Sequence, residues 1–386
     1  MSDLSSGVSG LAEETLVSDD DWRRRIIEPS EFVADRAAFV DVRLPRSQGK
    51  ASYSMIGPGV SQNAGQTVNL AIPHGFNIGA ADMPAGVVNN AHLHYTAEVF
   101  VCTRGSWRFA VGRQGEQTID VGPGDVFSAP TWVFRGFENT GEDDGWLFVV
   151  LGHDDTGGII WAPEILEAAA ETGLYLGADH SVIDVGDGPP PSAELVAPLS
   201  DAALAAIDHY DDEALAACNV KPGDLAWSER ALLGGMLDGP AVAIAPVIGW
   251  GMTEDRSHRP PLTTPHGFSL EWLRLDPGAE TGTHRLRGSQ VLLLVDGDWE
   301  LSVNTGADAR PATPAAGSVV SVPTGAWRNF RNYGDTAATA VVVCADDGPS
   351  RIEWTKELTA AAAGAGWGLD ASGYLAPIEL LGPGRK

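Results

Sequence analysis

His92, His94 and Glu98 sit at even positions of the segment GVVNNAHLHYTAEVFVCTRG, residues 86–105, which is bounded by Gly86 and Gly105. Alternate side chains of an extended strand share a face, so these three are expected to converge. Two neutral imidazoles and a carboxylate suit a divalent first-row metal and leave coordination positions open for substrate or oxygen. Such an open site points to chemistry rather than scaffolding. A hydrogen-bonded or exposed histidine pair is the bland alternative at this spacing.

More of a pattern surrounds the pair. The segment fits G-x5-HxH-x3-E-x6-G at Gly86, His92, His94, Glu98 and Gly105, and in this it resembles the first motif of the cupin superfamily. The superfamily's second motif, G-x5-P-x-G-x2-H-x3-N, is similar to GDVFSAPTWVFRGFEN, with Gly124, Pro130 and Asn139 in register. Trp132 stands where glycine is usual, and Arg135 where the last histidine ligand belongs. A guanidinium carries only donors and cannot ligate a metal, so His92, His94 and Glu98 are the three candidate ligands. The resemblance implies a small jelly-roll β-barrel with the metal in its interior. Near such a cavity Arg135 could bind a substrate carboxylate bidentately, which makes it the candidate catalytic and substrate-binding residue. Trp132 is the candidate aromatic wall for a planar substrate, with a core tryptophan as the alternative.

The chain is also an internal duplication, the kind of signal best sought before any fold is assigned. PHGF at 73–76 recurs at 265–268, and Gly86, His92 and Gly105 recur at the same offset as Gly278, His284 and Gly297. One residue further on, Gly124, Pro130, Arg135 and Asn139 correspond to Gly317, Pro323, Arg328 and Asn332, and Trp161 to Trp354. In the second copy Leu286 replaces His94 and Gln290 replaces Glu98, so a catalytic metal is not expected there. A packing or interface role for that copy, or a metal-free pocket using His284, Gln290 and Arg328, stays open. His74 and His266 occur in both copies and are expected to be structural. The recurrence of Arg135 as Arg328 leaves its role between structure and recognition.

Composition sets the outer bounds. The chain has 386 residues and a formal net charge of −27, which disfavours phosphate backbones and anionic membrane surfaces. Its three cysteines are too dispersed for a disulfide framework, and the first twenty residues lack the zones of a signal peptide, so a cytoplasmic protein is expected. The expected partner is a small-molecule substrate, with neither nucleic acid nor membrane bound, and a homo-oligomer is expected.

Residues 1–27 read as a mobile arm. Residues 28–185 form the first repeat with the metal site, its apolar runs broken by the turn signals GRQGE, VGPGD and NTGEDDG. PEILEAAAETG after Trp161 reads as a helix, with ELTAAAAGAGWGL its counterpart in the second copy. Residues 186–219 read as a helical, proline-stiffened linker without a counterpart, and residues 220–386 as the second, degenerate repeat with a C-terminal helix. His209 with Asp208, Asp211 and Asp212 reads as a solvated helix face rather than a second metal site. The expected fold is all-β: two tandem cupin barrels, each followed by a short helix, with a helical linker.

The resemblance extends to bicupin dioxygenases of the gentisate and hydroxynaphthoate type in length, duplication, the HxH segment and PTWVFRGFEN. It implies an Fe(II) enzyme that opens small carboxylate-bearing aromatic or enolic compounds with oxygen. The alternatives are a Mn(II)-dependent decarboxylase or lyase similar to the oxalate-converting bicupins, with other divalent metals possible, and a non-catalytic binding protein on the same scaffold.

Overall fold

Glycine-bearing turns divide the first repeat into strands. GRQGE closes the hairpin of Trp107–Val111 with Gln117–Val121, where Gly112 (φ 95°) and Gly115 (φ 71°) take the left-handed conformation that favours glycine. A computed structural model describes residues 13–382, and its chain divides into two units. Residues 30–225 form one; residues 226 onward, with the segment that ends at Pro29, form the other.

Each unit is built from two large sheets, with a two-stranded sheet beside them. The first has a seven-stranded sheet that includes Glu98–Arg104, Val126–Ala129, Gly145–Gly152 and Phe76–Met83, and a five-stranded sheet that includes Val88–His94, Arg135–Asn139 and Trp107–Val111. Alternating inward residues fill the space between with aromatic rings: Phe100, Phe109 and Phe127 pack at centroid distances of 4.6 to 6.4 Å. The second unit repeats the plan with six and five strands, and its core is mostly aliphatic, with Leu292, Leu294, Val320 and Val342 fully buried. Helices Pro163–Glu171 and Lys356–Gly364 follow the respective barrels. The all-β architecture, two tandem barrels each followed by a short helix, is therefore the one expected.

The segment before each barrel departs from expectation. Residues 13–27 are not a loose arm: Val17 and Trp22 are buried in the second unit's core, and Ile26–Ile27 pairs with its strand Val319–Val322. The supposed linker behaves the same way in the other unit. Asn219–Val220 pairs with Val126–Ala129, and Leu215 enters the first barrel's core. The two segments are equivalent, because Ile27↔Val319 and Val220↔Val126 are the same pairing at the offset that relates Gly124 to Gly317. Helix Asp19–Arg24, capped by Ser18, matches helix Asp212–Ala216, capped by Asp211. Pro29 lies over Gly317 as Pro222 lies over Gly124. The linker thus does have a counterpart, namely the segment preceding the first barrel. Residues 1–12 of the expected arm lie outside the described residues.

Candidate metal centre

The three candidate ligands come from both sheets. His92 and His94 lie near the end of Val88–His94, and the chain then leaves that sheet at Tyr95–Ala97 and enters the other at Glu98. Strand parity alone would hold for a single continuous strand; here the crossing between sheets turns Glu98 back toward the histidines. One ligand atom from each residue lies within 4.8 Å of the others, and all three side chains are buried. Among the described residues this is the one such cluster, so His209 and its neighbouring acids form none.

The hydrogen bonds prepare the histidines as ligands. His92 Nδ1 lies 2.7 Å from the Asn90 carbonyl and His94 Nδ1 lies 3.1 Å from that of Gly158. A carbonyl only accepts, so each Nδ1 carries the proton and each Nε2 is left as a free lone pair. His94 Nε2 is buried with no hydrogen-bond partner, an arrangement a metal ion would satisfy. Burial lowers the pKa of both rings and keeps them neutral, with Arg135 acting in the same direction.

Arg135 completes the set in a way the sequence did not suggest. It is fully buried, and its Nε and Nη2 donate to the same oxygen of Glu98, at 3.1 and 3.0 Å, while Nη1 donates to the Val133 carbonyl at 3.3 Å. The other Glu98 oxygen lies 3.4 Å from His94 Nε2. Burial would raise the Glu98 pKa, but the Arg135 guanidinium against it holds the carboxyl well below the usual range. Glu98 is therefore an anion with one oxygen fixed and one available. The guanidinium spends its fork on this ligand, so it is not presented to a substrate as expected. Trp132 is likewise elsewhere: it is 47% exposed, stands edge-on to Tyr95 at 5.2 Å, and does not line the cavity beside the ligands. It holds a left-handed backbone (φ 60°), as does its counterpart Gly325 (φ 74°), a conformation that costs a bulky side chain some strain.

His92, His94 and Glu98 line a cavity of about 70 Å³ with Ile78, Phe100 and Leu151 among its apolar walls. The same wall carries Lys50 and Asn89, which no sequence motif singled out. Lys50 Nζ donates to both oxygens of Asp41 at 2.6 Å and to Asn89 Oδ1 at 2.7 Å. Burial lowers the lysine pKa while Asp41 opposes the shift. A comparison of the two copies could have found them: by strand register Lys50 corresponds to Val242.

The second barrel keeps the frame without the ligands. His284 pairs with Arg328 across the strands as His92 does with Arg135. Arg328 Nη1 donates to Gln290 Oε1 at 3.0 Å, and the Gln290 amide nitrogen meets Met252 Sδ at 2.8 Å. Gln290 and Arg328 thus satisfy one another rather than an open pocket. Burial and Arg328 press the His284 pKa down to about 3. His74 and His266 bond identically in the two copies, each ring to the carbonyl two residues earlier and each backbone N–H to Asp154 or Asp347. Cys102 is a buried core side chain whose thiol burial pushes up to about 12. No helix among the described residues is long and apolar enough to cross a membrane.

Residues 80–151 match the cupin domain family, a span that includes all three candidate ligands and Arg135. Among curated proteins none matches the chain by sequence. Solved structures of the oxalate decarboxylase of Bacillus subtilis are similar in fold. The form at pH 4.6 is 15% identical, with 88% of this chain and 78% of that chain covered and a TM-score of 0.50. A tryptophan-to-phenylalanine variant of it is 14% identical over 90% and 82%, with a TM-score of 0.51. An arginine-to-alanine variant is 15% identical over 87% and 79%, also at 0.51. The chain therefore has the bicupin fold, with a cupin domain at its candidate site.

Proposed function

We propose that the first barrel is the active half of a metal-dependent enzyme that cleaves a small organic acid without net oxidation, a decarboxylase or related lyase. Manganese(II) is the first choice of ion and iron(II) the second. The observation that carries the reading is the buried trio of His92 Nε2, His94 Nε2 and one Glu98 oxygen, with every non-ligating atom of the trio already bonded. A divalent ion held there would supply a Lewis acid toward a coordinated carboxylate.

The residues around the trio favour a small anion. Glu98 is balanced by Arg135 and Lys50 by Asp41, so the charge of the ion would be left for the substrate to neutralise. A cavity of about 70 Å³ accommodates roughly five water-sized groups, closer to a short dicarboxylate than to a substituted aromatic ring. The likeness in fold to oxalate decarboxylases supports the same class over ring-opening dioxygenation. In this reading Arg135 orients Glu98, and the apolar walls exclude water from the reacting carboxylate.

An oxygen electrode combined with carbon dioxide detection tests it. With the manganese-loaded protein, a panel of short dicarboxylates and oxo-acids should include one that releases carbon dioxide without net oxygen uptake. Oxygen consumption in step with product would return the protein to the iron dioxygenase class. Metal-independent binding without turnover would make it a sensor.

A further inference from the structure

Asn89 is fixed on both sides by groups whose hydrogen-bonding roles admit no choice. The Lys50 ammonium only donates, so the Asn89 carbonyl oxygen must face it, at 2.7 Å, and the amide nitrogen is turned toward His92 Nδ1, 3.4 Å away. His92 Nδ1, however, donates to the Asn90 carbonyl at 2.7 Å. Two donors therefore face each other across 3.4 Å, and the Asn89 amide, buried in the cavity wall, is left without an acceptor of its own. Lys50 is held in turn by Asp41, whose carboxylate also accepts from the backbone and side-chain nitrogens of Asn90.

The duplication supplies an internal control. At the offset that relates His92 to His284, Lys50 and Asn89 correspond to Val242 and Thr281, and Asp41 corresponds to Gly234, because the preceding residues Val40 and Leu233 make the same backbone bond to the side chains of Gln62 and its counterpart Glu254. The trio is lost in the copy that has also lost two metal ligands, whereas Arg135, Trp161 and His74 keep their counterparts. Val242 is buried there and Gly234 has no side chain, so the fold does without the ion pair at these positions. A buried ion pair that apolar residues can replace is weak evidence for a stability role.

We propose that Asn89 is a substrate-binding residue that donates its amide N–H to a carboxylate oxygen of the substrate in the metal cavity, and that Lys50 and Asp41 are positioning residues that set the amide's orientation. This rests on the reading of the first barrel as a metal-dependent site for a small acid. Lys50, whose charge Asp41 balances, acts through Asn89 because its own donors are occupied.

The test is calorimetric, on the zinc-loaded full chain, with oxalate, malonate and salicylate as anionic probes and imidazole as a neutral metal-binding probe. Asn89→Leu removes the donor. The double substitution Asp41→Gly with Lys50→Val copies the second barrel and leaves no unpaired buried charge. Both variants should bind one zinc with affinity within about threefold of the parent and imidazole equally well. At least one of the three anions should bind the parent, and about tenfold more weakly to either variant, the loss of one charge-assisted hydrogen bond. Unchanged anion affinity in Asn89→Leu, or no binding of any anion to the zinc-loaded parent, overturns this assignment alone. A parallel loss of zinc affinity in both variants overturns it in favour of a ligand-supporting role. A parent that binds no metal overturns the underlying reading as well.

Discussion

Arg135 grips a single oxygen of Glu98 through two N–H groups, and Arg328 meets Gln290 at the equivalent place in the second barrel. The arginine is thus common to both copies while its partner changes from a carboxylate to an amide. That comparison separates a retained frame from a site present in one barrel only.

Replacing Arg135 by methionine should loosen Glu98 and leave its charge buried and unpaired. Metal affinity is expected to fall by roughly 10- to 100-fold, the cost of removing a group that orients a ligand. Competition with a coloured chelator measures it. Arg328→Met should leave metal affinity unchanged while lowering thermal stability; equal loss of affinity in the two variants would contradict the division of roles.

The exchanged segment makes a stability prediction. Trp22 is buried in the core of the second unit although it precedes the first barrel in sequence. Trp22→Ala should cost about 3 to 5 kcal/mol, readable as a lower denaturation midpoint for the transition of that unit. A loss below about 1 kcal/mol would mean that the segment is dispensable.

Two buried carboxyls of the second barrel set a pH dependence. Burial pushes Glu254 and Glu271 each up to about 8, against only partial compensation by the Trp354 indole and the Leu233 and Met252 N–H groups. The folded chain therefore keeps protons that the unfolded chain releases near 4.5. Their contribution is complete below that value and is lost as pH rises toward 8. The unfolding temperature should drop by about 5 °C or more between roughly pH 5 and pH 8.5. Glu271→Gln, which cannot ionise, should flatten this slope. A slope unchanged in that variant would contradict the assignment.

Much of the fold was legible because its signals are local or repeated. The duplication, the turn residues, the helices after Trp161 and Trp354 and the side chains of the trio all declare themselves in short stretches. The exchanged segments do not. LVSDDDWRRRIIEPSE and HYDDEALAACNVKPGD share little beyond Asp19 with Asp212 and Pro29 with Pro222, because a helix cap, one buried side chain and a two-residue strand can be built from many residues. Lys50 and Asp41 were missed for a different reason. A lone lysine and a lone aspartate nine positions apart form no motif, and only the fold turns them toward Asn89. Glu98 was found through strand parity, although a change of sheet is what brings it to the histidines.

The most direct measurement is metal content per chain by elemental analysis after anaerobic loading with manganese or iron and removal of loose ions. The parent should retain about one ion, His94→Ala and Glu98→Ala should retain little, and His284→Ala in the second barrel should retain as much as the parent. Two tightly held ions per chain, or undiminished content in His94→Ala and Glu98→Ala, would contradict a single metal centre built on His92, His94 and Glu98.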